Sequence, residues 1–194
     1  MDFILILLAA FGAGLLNTIA GGGTFLTFPA LVFIGVPPVI ANATSAVAVF
    51  PGYLGGALGF RDELKTFDKK VILRLIAITI AGGLIGSVLL LVSSNKAFSV
   101  VVPFLLLGAT LAFLFGDQIR ARAAAAGGAV TPYGSIGLLL VSIYGGYFNG
   151  GLGIVLLALF ALWGMTHIHK MNGLKNGLSF VLSISSVLVF AIGG

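Results

Sequence analysis

Two asparagines, Asn17 and Asn149, each stand beside a glycine cluster inside an otherwise apolar stretch. Asn17 precedes Gly21, Gly22 and Gly23, with Thr24 next; Asn149 precedes Gly150, Gly151 and Gly153. A neutral carboxamide offers two N–H donors and an acceptor without carrying charge. Glycine lets backbone approach a ligand closely and adopt positive φ. A helix that restarts after such a break leaves its first N–H groups without helical partners and turns the positive end of its dipole toward the gap. These groups together suit a small ligand that accepts several hydrogen bonds and needs no buried, unpaired cation beside it. Thr24, Thr44 and Ser45 add hydroxyls, and Lys175 is a basic residue inside an apolar run. The candidate substrate-binding set is therefore Asn17, Gly21, Gly22, Gly23, Thr24, Thr44, Ser45, Asn149, Gly150, Gly151, Gly153 and Lys175. Each has a structural alternative: the glycines as helix-crossing points, the asparagines as caps, the hydroxyls bonded within their own turn. A lysine near a helix end also commonly snorkels to the interface.

The elements that must hold these residues are membrane helices. The chain is 59% hydrophobic and 8% charged, against about 25% charged residues in soluble domains, and its mean hydropathy is +1.21. The lipid bilayer is thus its first partner. The net charge of +5 falls in loops between apolar runs, which fits membrane orientation rather than nucleic acid. With no cysteine, disulfides and thiolate metal sites are excluded; no cofactor or metal site is expected. The start, Met1-Asp2-Phe3, lacks the positive region of a signal peptide, so the first apolar segment reads as retained.

Six apolar segments follow in order. Segment one, Phe3 to Gly35, is interrupted at Gly21–Gly23 and stops at Pro37-Pro38. Three successive glycines cost a helix about 1 kcal/mol each against alanine, and freed backbone in lipid must be satisfied by protein or a wet cavity. The segment is either one discontinuous crossing or a span followed by a re-entrant half-helix. Segments two (Val39–Phe60), three (Val71–Val92) and four (Ala97–Gly116) complete a first repeat over residues 1–120. Gly52, Gly55, Gly56 and Gly59, then Gly82 and Gly86, are spaced for close helix packing, and such faces also allow a homo-oligomer. An Ala/Gly-rich stretch, 121–131, reads as a linker. Segment five, Pro132 to Trp163, is broken at Asn149–Gly153, and segment six runs from Met171 to Ile192. Residues 132–194 read as the start of a second repeat, short of the first by two segments.

Setting Gly14-Leu15-Leu16-Asn17 against Gly146-Tyr147-Phe148-Asn149 brings the halves into register, with Gly35 on Gly164, Asn42 on Asn172 and Phe50 on Phe180. Matched interruptions in two halves are the best sequence pointer to a transporter's binding site. The fold expected is an all-α membrane protein, a polytopic bundle with two internal repeats and discontinuous helices 1 and 5. The Lys/Arg bias places loops 61–70 and 117–131 in the cytoplasm. This puts Lys96 and the His167–Lys170 loop outside, and if segments one and five each cross once, the repeats are parallel.

The pattern Gly14-x-x-Asn17-x-x-Ala20-Gly21-Gly22-Gly23, then Pro29, Gly35-x-Pro37 and Ala41-x-Ala43-Thr44-Ser45, resembles the first half of the TauE/SafE sulfite exporter family. Gly145-Gly146-Tyr147-Phe148-Asn149-Gly150-Gly151-x-Gly153, followed by Asn172-Gly173-Leu174-Lys175-Asn176, resembles its second half. The resemblance spans the chain and implies a cell-membrane permease that exports sulfite, an organosulfonate or a similar small oxyanion. It also implies that further helices follow the equivalent of Gly194 in full-length members.

An enzyme has no parts here. The sequence holds no H-E-x-x-H, P-loop or G-x-S-x-G, and no acidic residue falls within a segment to serve as protease or proton relay. Expected instead is alternating access around the paired breaks. The alternatives are a non-transporting membrane scaffold subunit and a passive anion channel.

Overall fold

A computed structural model describes residues 2–19, 21–125 and 133–193. Their regular structure is entirely helical: α1 Asp2–Ile19, α2 Thr24–Phe33, α3 Pro38–Gly59, α4 Arg61–Leu64, α5 Lys69–Val92, α6 Asn95–Ala125, α7 Ser135–Tyr147, α8 Leu152–Leu162 and α9 Ile168–Gly193. Among the described residues, α3, α5 and α9 are long and apolar enough to cross a membrane. The burial pattern inverts that of a water-soluble protein. Asn17, Asn42, Thr79, Ser87, Asn149, Lys175 and Asn176 are buried, whereas Phe3, Phe11, Phe33, Phe104, Ile136 and Ile192 are exposed.

Local chemistry sets the boundaries. Pro38 opens α3 at a position where its missing N–H costs nothing. Asp68 caps α5 by accepting from the backbone N–H of Lys70 at 2.7 Å and of Val71 at 3.3 Å. The half-helices α2 and α8 end alike: Gly35 (φ +91°) and Gly164 (φ +83°) adopt the left-handed conformation. Val36 N–H then bonds Leu31 O, and Met165 N–H bonds Phe160 O, the six-to-one closure of a Schellman motif.

Both broken segments are helical hairpins. In the first, α2 runs back along α1: a Cβ on Gly23 would meet Ala13 O at 2.6 Å, and one on Gly12 would meet Leu26 at 3.0 Å. Near its open end, Ile6 and Ala9 line one small cavity with Ala30 and Leu31. In the second, Gly145 packs on Leu152 and Gly137 on Leu159, and the rings of Tyr133 and Trp163, at its two ends, lie 5.5 Å apart. The break thus reverses the chain instead of carrying it across.

The hairpins open toward opposite ends of the bundle. The second opens beside the α4–α5 connection, where Phe67 lies 6.4 Å from Tyr133 and Arg74 donates to Tyr133 O. The first opens at the other end, where Val39 N–H donates to Asn95 Oδ1 at 2.9 Å. Helices α3 and α9 pass each other in the middle, with Phe50 stacked on Phe180 at 5.0 Å and 15°.

One expectation changes. The loop holding His167 and Lys170 does not lie opposite the 61–70 loop, because Thr66, Phe67, His167 and Lys170 line one cavity. The cause is the reversal at Asn149–Gly151, which returns segment five to the end it entered from. In addition, α6 continues past segment four to Ala125, so the first residues of the linker are helical; 126–131 lie outside the described residues.

Candidate functional site

The two breaks meet. Gly21 adopts φ +80° and Gly151 φ +73°, conformations that a side chain rarely takes. A Cβ on Gly21 would lie 2.4 Å from Gly153 Cα, and Gly153 N–H points at Gly21 O at 3.4 Å. Here backbone rests on backbone. Gly151 is covered by the ring of Phe25, which a Cβ there would meet at 2.7 Å. Gly22 lies between Phe25 and Ile154, and Gly150 faces the ring of Phe148. The half-helices α2 and α8 both begin at this junction, so two helix N-termini converge on it.

Asn17 and Asn149 are both 1% exposed, and they are held in the same way. The Oδ1 of Asn17 accepts from Gly23 N–H at 3.3 Å, and the Oδ1 of Asn149 accepts from the Tyr53 hydroxyl at 3.0 Å. In each, protein donors fix the carbonyl side of the carboxamide, while the Nδ2 is buried with no acceptor. Tyr53 is fully buried on α3. The Nδ2 of Asn17 sits 3.9 Å from where a Cβ on Gly52 would project, and Asn17 lines a cavity of about 60 Å³ with Ala13, Gly14, Thr27 and Gly52. A buried N–H left unmade costs about 1–3 kcal/mol. Both of these donors lie near the junction of the two breaks.

Thr24, at the start of α2, is also buried, and its hydroxyl has no partner. Ser45 is bonded to the Thr27 hydroxyl and fastens α3 to α2. Thr44 is exposed on α3 and borders the cavity near the open end of the first hairpin, away from the breaks. Lys175 is fully buried in α9 and therefore does not snorkel.

The contacts of several residues had no signal in the sequence. Tyr53 is an isolated hydroxyl in an apolar run, and its partner lies 96 residues away. Tyr144 donates to Gly150 O and steadies the second break. Asn42 donates to Tyr147 O at 3.0 Å, tying α3 to the tip of the second hairpin. On α9, Asn176 packs against bare Gly56 and both its amide atoms lack partners. The register that pairs Asn42 with Asn172 hints at these amides, but it does not reveal what they touch.

Comparison with known proteins gives a family match. The model of the family described as Sulfite exporter TauE/SafE matches residues 6–194. The chain is 29% identical over 203 residues to the "Probable membrane transporter protein" of Haemophilus influenzae, covering 100% of this chain and 76% of that one. It is 29% identical over 189 residues to "Probable membrane transporter protein YfcA" of Escherichia coli K12, covering 94% and 67%. With "Probable membrane transporter protein ORF9" of Sinorhizobium sp the identity is 26% over 188 residues, covering 96% and 71%. No solved structure matches the chain.

Proposed function

The chain belongs to the sulfite exporter TauE/SafE family of membrane transporters, and on that premise we propose that it exports a small oxyanion, sulfite or an organosulfonate, by alternating access. The carrying observation is the pair of buried amide donors. The Nδ2 atoms of Asn17 and Asn149 lack acceptors, while their Oδ1 atoms are held by Gly23 N–H and Tyr53 O–H. A carboxamide oriented in this way presents donors only. Two helix N-termini supply positive potential beside them, so an oxyanion is stabilised without a cation at the junction. Gly21, Gly22, Gly23, Gly150, Gly151 and Gly153 let backbone reach the ligand, and Thr24 adds a hydroxyl. Lys175 supplies charge on the route from the end where α9 begins. Thr44 and Ser45 contribute packing at the first hairpin more than contact.

In this reading the site is closed where the two breaks seal against each other. Hairpins opening to opposite ends support an inverted repeat, in which each tip gates access from one side. Parting Gly21 from Gly153 would admit the ligand between them. The cell membrane is the location, with loops 61–70 and 117–131 cytoplasmic. Transport is tested by reconstituting the chain in liposomes and measuring sulfite, sulfoacetate, thiosulfate and sulfate flux. Saturable flux with counterflow is expected for at least one of them. Flux that rises linearly without counterflow would mean a channel, and no flux for any of them would remove the transport reading for this chain.

A further inference from the structure

A second cavity, of about 380 Å³, lies away from the paired breaks, at the end of the bundle where the second hairpin opens. Its wall is aromatic: Phe67 and Tyr133 meet edge to face at 6.4 Å, and Tyr133 and Trp163 lie 5.5 Å apart. Tyr133 is the one non-glycine with positive φ (60°) among the described residues. Backbone held this way is strained, and such strain clusters at ligand clamps. The polar groups at the rim divide into committed and uncommitted ones. Asp68 is spent on capping α5, and the Thr66 hydroxyl donates to Glu63 O. Lys170 and His167 line the cavity, and the ion pairs among the described residues, Arg61–Asp62 and Lys65–Asp62, involve neither. Trp163 is 5% exposed, and its indole Nε1–H is buried without an acceptor.

An aromatic wall beside a half-buried lysine defines a ligand class. We propose that this cavity binds an anion carried on an apolar or aromatic body, with Lys170 taking the charge and Phe67, Tyr133 and Trp163 packing on the body. Such a ligand differs from a bare oxyanion, which has nothing to offer the rings. Because Tyr133 and Trp163 are the two ends of the second hairpin, an occupant would pin both to the α4–α5 connection and restrain that gate. The anion can come from solution or from a lipid headgroup, where acyl chains supply the apolar body.

Trp163 is the only tryptophan in the chain, so its emission reports on this cavity alone. The purified chain in a neutral detergent is titrated with benzoate, with benzamide as the uncharged counterpart. The expected result is a saturable emission change with benzoate and none with benzamide. Losing a charge-assisted hydrogen bond is worth about 1.5–3 kcal/mol, so Lys170→Gln should weaken benzoate on the order of tenfold or more, with Lys170→Arg largely retaining it. Asn17→Ala should leave the titration unchanged, which separates this site from the paired breaks. A second arm compares nanodiscs of phosphatidylglycerol and phosphatidylcholine. An emission change specific to phosphatidylglycerol that blocks benzoate assigns the site to lipid, and its absence alongside a benzoate response assigns it to a soluble anion. A flat titration in both arms overturns the proposal. So does an equal response to benzamide, or unchanged affinity in Lys170→Gln with the helical circular dichroism intact.

Discussion

Asn17 and Asn149 make different demands on substitution because their carbonyl oxygens have different partners. Asn17→Ala removes the acceptor for Gly23 N–H and an unused donor; Asn149→Ala removes the acceptor for the Tyr53 hydroxyl and the matching donor. If both Nδ2 groups serve the ligand, each alanine variant should insert normally and lose transport by roughly 5–150-fold, the equivalent of about 1–3 kcal/mol. Flux at the parent rate in both variants would return the amides to a capping role. Tyr53→Phe separates positioning from contact. It leaves both donors in place but frees the Asn149 carboxamide to rotate and strands its buried oxygen. Thermal unfolding in detergent should register a loss of about 1–3 kcal/mol, and transport should weaken by less than in Asn149→Ala. The reverse order would make Tyr53, and not the asparagine, the ligand's partner.

At the scale of the helix, the hairpins depend on glycines for two separable reasons. Gly35 has φ +91° with nothing near its missing side chain, so Gly35→Ala tests conformation alone; about 1–2 kcal/mol is expected. Gly21 has φ +80° and also rests on Gly153 at a separation no Cβ tolerates. Gly21→Ala should therefore cost the same conformational amount and also force the two tips apart. Measured by unfolding in detergent, Gly21→Ala should be clearly the worse of the two; equal losses would mean that the tips are not in contact. This is also where sequence reading reached its limit. The helix boundaries at Gly35, Pro38 and Gly164 were legible because those residues act on their own neighbours. The breaks were legible because triple glycine and Asn-Gly-Gly cannot continue a helix. Their consequence was not. Whether a broken segment crosses or turns back is decided by packing partners such as Ala13 on Gly23 and Leu159 on Gly137, far apart in sequence. The glycines of α3 make the same point: Gly56 accommodates Asn176, while Gly55 and Gly59, equally well spaced, face open space.

Across the whole molecule, the hairpin reading sharpens the charge asymmetry. Lys170, expected on the far side, joins Arg61, Lys65, Lys69, Lys70 and Arg74 at one end, and α6, which starts beside Val39 at the other, runs back toward it through positions 120 and 122. Of the 10 Lys and Arg, that leaves Lys96 at the other end and Lys175 inside. Positive charge accumulates on the cytoplasmic side of membrane proteins, so the basic end should face the cytoplasm. The absence of native cysteine makes this directly measurable by adding single cysteines to the chain in intact cells. Thr66→Cys and His167→Cys should behave alike: protected from a membrane-impermeant maleimide added outside, and labelled only after the membrane is opened. Asn95→Cys and Val36→Cys, at the other end, should label from outside. A discontinuous single crossing of segment five predicts instead that positions 66 and 167 label from opposite sides. That outcome would dissolve the second hairpin and, with it, the meeting of Gly21 and Gly153 on which a two-gated site depends. If all four positions label as expected, the two hairpins open to opposite sides of the membrane, the geometry that alternating access around Asn17 and Asn149 requires.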